Sequence, residues 1–476
     1  MPELHGEPGT ERSSVGSPDP RGVLGFRYAL HESGFRHPPT SGPGAAGFTR
    51  YAEITHPWPS RRGLRMATTR GMVSLPTASF ASAEGPRVLR EQLLQRIGAL
   101  SDGGERCHTI ELLDQRVAAP GRAWLGPGLA LACAVIYGFQ LYDPAVESEG
   151  ALSAPLVELG DVWRLVTANF LHGNLPHLLL NGVSLWVLGA LLERSLGTAR
   201  AGLVMAASGL GAMGAGLLWH YSWALGASGI VAGIAGGLLV LELLRPAMVP
   251  APWRLPRRLL VGAVLVDGLL LGLIPGIAHA AHGGGLLAGG VVTWAVTPAR
   301  GAALPSRVWI RFGNAAAISA LLLSVVVWIG SSVHPEAASW RRAQQLLNAS
   351  NPSPALLNNE AWTIATGDHP APRLLAVAER LAKRAVQATG RRNPNFLDTL
   401  AELYFQQGNS DRAIATIDEA IALSSERYYR EQRRRFTGER PAKDRPASPP
   451  AAPSAPRRLP PPEGIRVEAP GGSATA

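Results

Sequence analysis

The sequence predicts an all-α protein, a polytopic bundle of membrane-spanning helices followed by a small helical domain. Three observations predict it. Apolar residues make up 46% of the 476 positions, and between residues 123 and 331 they gather into seven near-continuous runs. Runs of roughly 18 residues or more match the thickness of a bilayer. Arginines collect in alternate connections between the runs, which is the charge pattern of a membrane bundle. Beyond the last run the pattern changes to that of soluble amphipathic helices.

In chain order, residues 1–90 are rich in Pro, Gly, Ser and Arg without sustained periodicity, so a disordered tail is expected. No cleavable signal peptide is visible at Met1, and Met66 or Met72 is an alternative start of translation. Residues 91–122 read as a cytoplasmic juxtamembrane segment, with an amphipathic helix over about 88–113. The apolar runs cover about 123–142, 172–192, 201–221, 226–244, 259–274, 277–296 and 312–330. Their high Gly content suits close helix packing in lipid.

Arg194 and Arg200 lie between runs two and three, Arg254 and Arg257 between four and five, and Arg300, Arg307 and Arg311 between six and seven. The intervening loops lack basic residues, except that Arg164 sits among five acids in the first. The positive-inside rule then expects a cytoplasmic N-terminus, and seven spans expect the C-terminus outside. The net charge of +10 is used up by this orientation signal; no nucleic-acid module is visible and no nucleic-acid partner is expected. Cys107 and Cys133 lack metal-site spacing, and no metal or cofactor is expected.

Residues 332–440 read as a helical domain. Around Gly408-Asn409, Leu397, Leu400, Ala401, Tyr404, Ala413, Ile417 and Ala420 fall at the large and small positions of a tetratricopeptide repeat, with a degenerate repeat before it. A protein partner is expected for it. Residues 441–476 are Pro/Ala-rich and expected to be disordered.

Polar groups inside a bilayer are costly and therefore functional candidates. Three clusters stand out: His172, His177 and Asn181 at the start of run two; Gly226 to Gly229, containing Ser228, at the start of run four; and His279 with His282 at the start of run six. These three runs are parallel, so His172, Ser228 and His282 share one shallow depth. A serine and a histidine at equal depth can form a hydrogen-bonded dyad. His177 and Asn181, four apart, share a helix face that can offer two donors to one oxygen. Gly229 with Gly233, and Gly285 with Gly289, have the GxxxG spacing that lets two helices approach. His279 reads as a supporting residue, Glu193 and Arg194 as a structural pair, His220 as solvated, and Asp267 has no assigned role.

Trp163-Arg164, the H-x4-H-x3-N run from His172 to Asn181, Glu193-Arg194, the GxSG at Gly226 to Gly229 and the AHxGGxxxG from Ala281 to Gly289 together resemble the rhomboid family of intramembrane serine proteases over about 200 residues. The resemblance implies a six-span core plus one C-terminal span. It implies Ser228 as nucleophile and His282 as its base, with no aspartate. It implies His177, Asn181 and the Ser228 N–H as an oxyanion hole, a turn at Gly226, a structural His172, and Trp163 and Arg164 shaping the first loop. The partners are then transmembrane substrates and the lipid bilayer, and the location a bacterial cytoplasmic membrane. Ala232 stands where many family members carry an aromatic against the catalytic imidazole. A non-catalytic relative that binds transmembrane segments is the alternative; retention of both Ser228 and His282 favours the enzyme. A transporter would need repeat symmetry between halves, and none is visible.

Overall fold

A folded unit precedes the membrane helices. The computed structural model describes residues 29–37, 47–266, 278–297 and 307–446. Strands β1 (Ala29–Leu30), β2 (Gly34–His37) and β3 (Gly47–Arg50) form one antiparallel sheet, and β4 (Ile54–Ser60), β5 (Gly63–Thr68) and β6 (Gly71–Pro76) form another. Helices α1 (Gly85–Gly98) and α2 (Gly103–Ala118) complete the unit. Its core joins Phe35, Tyr51, Ile54, Leu64, Met66 and Leu75 to Leu89, Leu93, Ile97 and Ile110. The tail expected to be disordered over residues 1–90 is therefore folded at residues 29–37 and 47–90, and the expected juxtamembrane helix is two helices of this core.

The reason is physical. The strands are short, Pro57 and Pro59 interrupt their alternation, and burial comes from long-range packing against α1 and α2. Gly63 and Gly71, at φ +120° and +141°, make the two tight hairpin turns that a side chain would resist. Met66 and Met72 lie inside β5 and β6, so initiation at either would remove β4, the pairing partner of β5.

The bundle follows, and every apolar run contributes a helix. These are α3 (Leu125–Tyr142), α7 (Leu175–Leu196), α8 (Thr198–Leu218), α9 (Ser228–Leu244), α10 (Arg257–Leu265), α11 (His279–Val296) and α12 (Arg307–Val333). The first connection holds three short helices, α4 (Pro144–Gly150), α5 (Ala154–Glu158) and α6 (Arg164–Thr167). The remainder of the fifth run, with Asp267, lies outside the described residues, as do Arg300 and residues 447–476 of the expected C-terminal tail. Among the described residues, four helices are long and apolar enough to cross a membrane, and Ser228–Leu244 is a shorter apolar one. Exposed Leu131, Phe139, Leu180, Trp186, Leu287 and Leu323 clothe the outside in hydrocarbon. So much apolar surface on a folded bundle is a lipid-facing surface. The chain is a mostly helical, multi-pass membrane protein.

Glycines set the interior spacing. A Cβ on Gly285 would lie 2.1 Å from the Gly229 carbonyl oxygen, and one on Gly289 2.2 Å from that of Gly233. Helices α9 and α11 thus touch backbone to backbone. Gly211 and Gly284 do the same for α8 against α11, where a Cβ on Gly284 would meet the Gly211 oxygen at 2.4 Å. Glu193 departs from its expected pairing with Arg194. Adjacent helical residues point in different directions, and Glu193 turns inward, accepting from Leu125 N at 2.9 Å and Thr198 Oγ1 at 2.8 Å.

The two flanking units sit at opposite ends. The N-terminal unit docks where α9 finishes. Ala251 N donates to His56 Nδ1 at 2.8 Å, Arg254 Nη1 to the Thr68 carbonyl at 2.9 Å and Arg257 Nη2 to that of Thr69 at 2.6 Å. Arg254 is also paired with buried Glu242 at 2.5 Å. Helix α12 runs away from this end. Asn314 near its start donates to Ala199 O at 2.8 Å, and Trp328 near its finish donates to Val146 O at 3.0 Å, in the first connection.

Six helices follow: α13 (Pro335–Asn348), α14 (Pro354–Thr366), α15 (Pro372–Ala388), α16 (Pro394–Gln406), α17 (Ser410–Leu423) and α18 (Arg427–Phe436). They share one apolar core containing Leu397, Leu400, Ala401, Tyr404, Ala413, Ile417 and Ala420. Gly408, at φ +78°, turns α16 into α17, and Asn409 caps α17 by accepting from Arg412 N at 3.2 Å.

Candidate active site

The site lies at the end of the bundle where α7, α9 and α11 begin. Gly226, at φ +126°, makes the turn before α9, and Ser228 is the first residue of that helix. A helix start carries unpaired N–H groups and the positive end of the helix dipole. His282 lies one turn into α11. Its Nε2 is 2.8 Å from Ser228 Oγ. Both side chains are half-buried and so reachable.

His177 reaches the same place because position 226 has no side chain. A Cβ there would lie 2.7 Å from His177 Cε1 and 3.7 Å from Ser228 Oγ, so the two groups face one small space. Asn181, one turn further along α7, donates through Nδ2 to the His177 carbonyl at 3.0 Å. His172 is buried, with its ring centre 5.0 Å from that of His177 in an edge-on contact. Ser228 thus meets His282, His177 faces the same space at Gly226, and Asn181 and His172 contact His177. Gly285 and Gly289 act from below, as backbone contacts of α11 with α9. His279 is the first residue of α11, and exposed His220 pairs with Glu158 at 3.5 Å.

Trp163 and Arg164 organise the first connection rather than touching the serine. Buried Arg164 donates to the carbonyls of Ser148 at 2.8 Å and Ala151 at 2.9 Å, and pairs with Asp161 at 3.2 Å. Trp163 Nε1 donates to the Glu149 carbonyl at 3.1 Å. The connection then bonds to the loop that leads into Ser228. Leu152 N donates to Ala224 O at 2.9 Å, Ala224 N returns to Leu152 O at 3.0 Å, and Gly226 N donates to Ala168 O at 2.9 Å.

Two supporting residues escaped sequence reasoning. Gln140, near the end of α3, clamps the His172 backbone, donating to its carbonyl at 3.1 Å and accepting from its N–H at 3.0 Å. A glutamine inside an apolar run was the available signal. Tyr221 Oη accepts from Ala280 N at 3.1 Å at the start of α11; its place beside a run's end carried no signal. Among the described residues no cluster of His, Cys, Asp and Glu could hold a metal ion.

A membrane helix bundle with a serine and a histidine in hydrogen-bond contact at one end is the class that fold and site define. Residues 159–299 match the model of the rhomboid domain. The chain is 33% identical over 149 residues to RHOMBOID-like protein 5 of Arabidopsis thaliana, covering 31% of this chain and 48% of that protein. It is 28% identical over 223 residues to Rhomboid protease GluP of Bacillus subtilis, covering 44% and 41% respectively. Rhomboid protease AarA of Providencia stuartii is 27% identical over 194 residues, covering 36% of this chain and 67% of that one. The chain spans about half the length of the first of these relatives. Residues 159–299 of its membrane core thus carry a rhomboid domain.

Proposed function

We propose that the protein is an intramembrane serine endopeptidase that cuts transmembrane segments of other membrane proteins. The observation that carries this reading is the 2.8 Å contact between Ser228 Oγ and His282 Nε2 at the start of two parallel membrane helices. Proteases named among the relatives support the same reaction class. Ser228 attacks the scissile carbonyl, His282 takes its proton and returns it to the leaving amine, and water releases the acyl-enzyme. The helix start at Ser228 favours the negative charge that develops. His177, Asn181 and the Ser228 N–H serve the oxyanion. One Asn181 N–H is bonded to its own helix, and the amide has a second. A substrate helix bonds its own carbonyls, so it must unwind before attack, and small or helix-breaking residues there lower the cost.

A serine-reactive fluorophosphonate tests the reading. It should label Ser228 in the purified wild-type protein. Asn181→Ala and His177→Ala should each slow acylation by roughly 10- to 1000-fold, the range for one lost oxyanion donor, with little change in binding. An unlabelled Ser228 in folded protein would favour the alternative, a non-catalytic rhomboid-like protein that binds transmembrane segments. Wild-type turnover in both variants would make His177 and Asn181 packing residues.

The orientation belongs to the same proposal: N-terminus cytoplasmic, C-terminus outside, in a bacterial cytoplasmic membrane. Arginines at the end where α9 finishes support it. The helices after α12 form a tetratricopeptide-like surface on the site's side, which would bind the extracytoplasmic part of a substrate or an adaptor and raise its local concentration. Alkaline phosphatase fused after Ser424 should be active, and a cytoplasm-only fluorescent reporter there should be dark. The opposite pattern overturns the orientation and the recruitment.

A further inference from the structure

Helix α13 drives two consecutive arginines into the first connection. Arg342 Nη1 donates to both carboxylate oxygens of Glu149, at 2.9 and 2.7 Å, while its Nε donates to Glu360 of α14 at 2.9 Å. Arg341 pairs with Asp161 at 3.4 Å, and its guanidinium lies 5.1 Å from the centre of the Trp163 ring. Glu149 and Asp161 are the same acids that hold Arg164 from its other side, at 3.4 and 3.2 Å. Leu159 of the connection packs into the core of helices α13 to α18.

The charges explain why this joint is not incidental. Glu149, Asp161 and Glu360 bring three negative charges, and Arg164, Arg341 and Arg342 three positive ones. All but Arg341 have side chains less than a tenth exposed. Arg164 alone cannot compensate the acids beside it, and a buried carboxylate stripped of its partner is strongly unfavourable. Helix α13 therefore supplies two of the three positive charges that balance the acids at this joint. The shape of the first connection passes to the site by backbone bonds: Leu152 with Ala224, and Gly226 with Ala168, two residues before Ser228. Ala154 N donates to Tyr221 O at 2.8 Å, and Tyr221 Oη in turn holds Ala280 N, two residues before His282.

We infer that Arg341 and Arg342 are positioning residues for the reaction: from the C-terminal helical domain they lock the first connection, and through it the two segments that carry Ser228 and His282. The domain is then a structural part of the site as well as a recruiting surface. This rests on the protease reading for its kinetic consequence and on the bond network for the rest.

The test uses the full chain in lipid nanodiscs, with three variants. Arg342→Met removes the fork. Arg342→Lys keeps the charge, and so protects the fold, but cannot fork between Glu149 and Glu360. Arg384→Met is the control, because Arg384 caps α13 at the carbonyls of Leu346, Leu347 and Ala349, and among the described residues it makes no hydrogen bond or ion pair to the first connection. Arg342→Met should speed hydrogen exchange at the amides of Leu152, Ala224 and Gly226 by about tenfold or more. It should slow phosphonate labelling of Ser228 and lower kcat on a short model span about tenfold, with KM little changed. Arg342→Lys should fall between, and Arg384→Met should match wild type. Wild-type exchange at those amides in both Arg342 variants overturns the inference. So does an Arg384→Met variant that reproduces the losses, since loosening of the helical domain would then suffice. Faster exchange in a protein whose Ser228 never labels upholds the lock and overturns the protease reading alone.

Discussion

Ser228→Ala and His282→Ala should each abolish cleavage of a model transmembrane substrate, with losses of about a thousandfold or more, because nucleophile and base act as one unit. The two side chains meet at 2.8 Å from helices α9 and α11, and neither supports the backbone packing between those helices, which glycines carry. Expression and thermal unfolding of both variants should therefore stay near wild type. The double variant should be no worse than either single one. Cleavage is read with a fluorescent span reconstituted in vesicles. Retained turnover in Ser228→Ala would remove the serine mechanism, and additive losses in the double variant would mean that the two residues act separately.

Gly285→Val should cost nearly as much without touching a reacting group. Its Cβ would be driven to 2.1 Å from the Gly229 oxygen and 3.1 Å from the Gly229 Cα. Backbone cannot yield as a side chain can, so α11 must move away from α9 one turn below His282. A displacement of about 1 Å at reacting groups costs about a hundredfold, and overpacking a tight core adds about 1–3 kcal/mol of destabilisation. Gly289→Val should behave alike, since its Cβ would meet the Gly233 oxygen at 2.2 Å. Gly283→Ala is the contrast: nothing lies within 4 Å of the added carbon, and activity and stability should be unchanged. Equal activity in Gly285→Val and Gly283→Ala would show that the glycine contact does not set the dyad distance.

The site was legible to the extent that it follows from helix geometry. Ser228 and His282 stand 54 positions apart, yet each opens an apolar run, and runs four and six are parallel. Equal depth follows from the rise of the helix alone, and the GxxxG spacing announces the close approach. Asn181 and His177 were readable by the same rule of i and i+4. Glu193 was not. Its neighbour Arg194 was the obvious partner in the sequence, whereas the tertiary structure offers it the N–H of Leu125, 68 residues earlier.

Apolar run length, arginine placement and helical periodicity are local properties, and they carried the membrane bundle, its span order and the helical pairs after it. Each helix satisfies its own backbone, so its presence in lipid needs no distant partner. The N-terminal sheets are the opposite case. A strand's bonds are all made elsewhere, and with strands of two to seven residues no local pattern rises above the Pro and Gly around it. The joint at Arg341 and Arg342 lay equally beyond reach. In the sequence they are two charges on an amphipathic helix, a solvated face by default, and only folding brings Glu149, 193 residues away, under Arg342. Long-range electrostatic contacts leave no periodic trace, because a buried ion pair depends on where two distant backbones happen to meet.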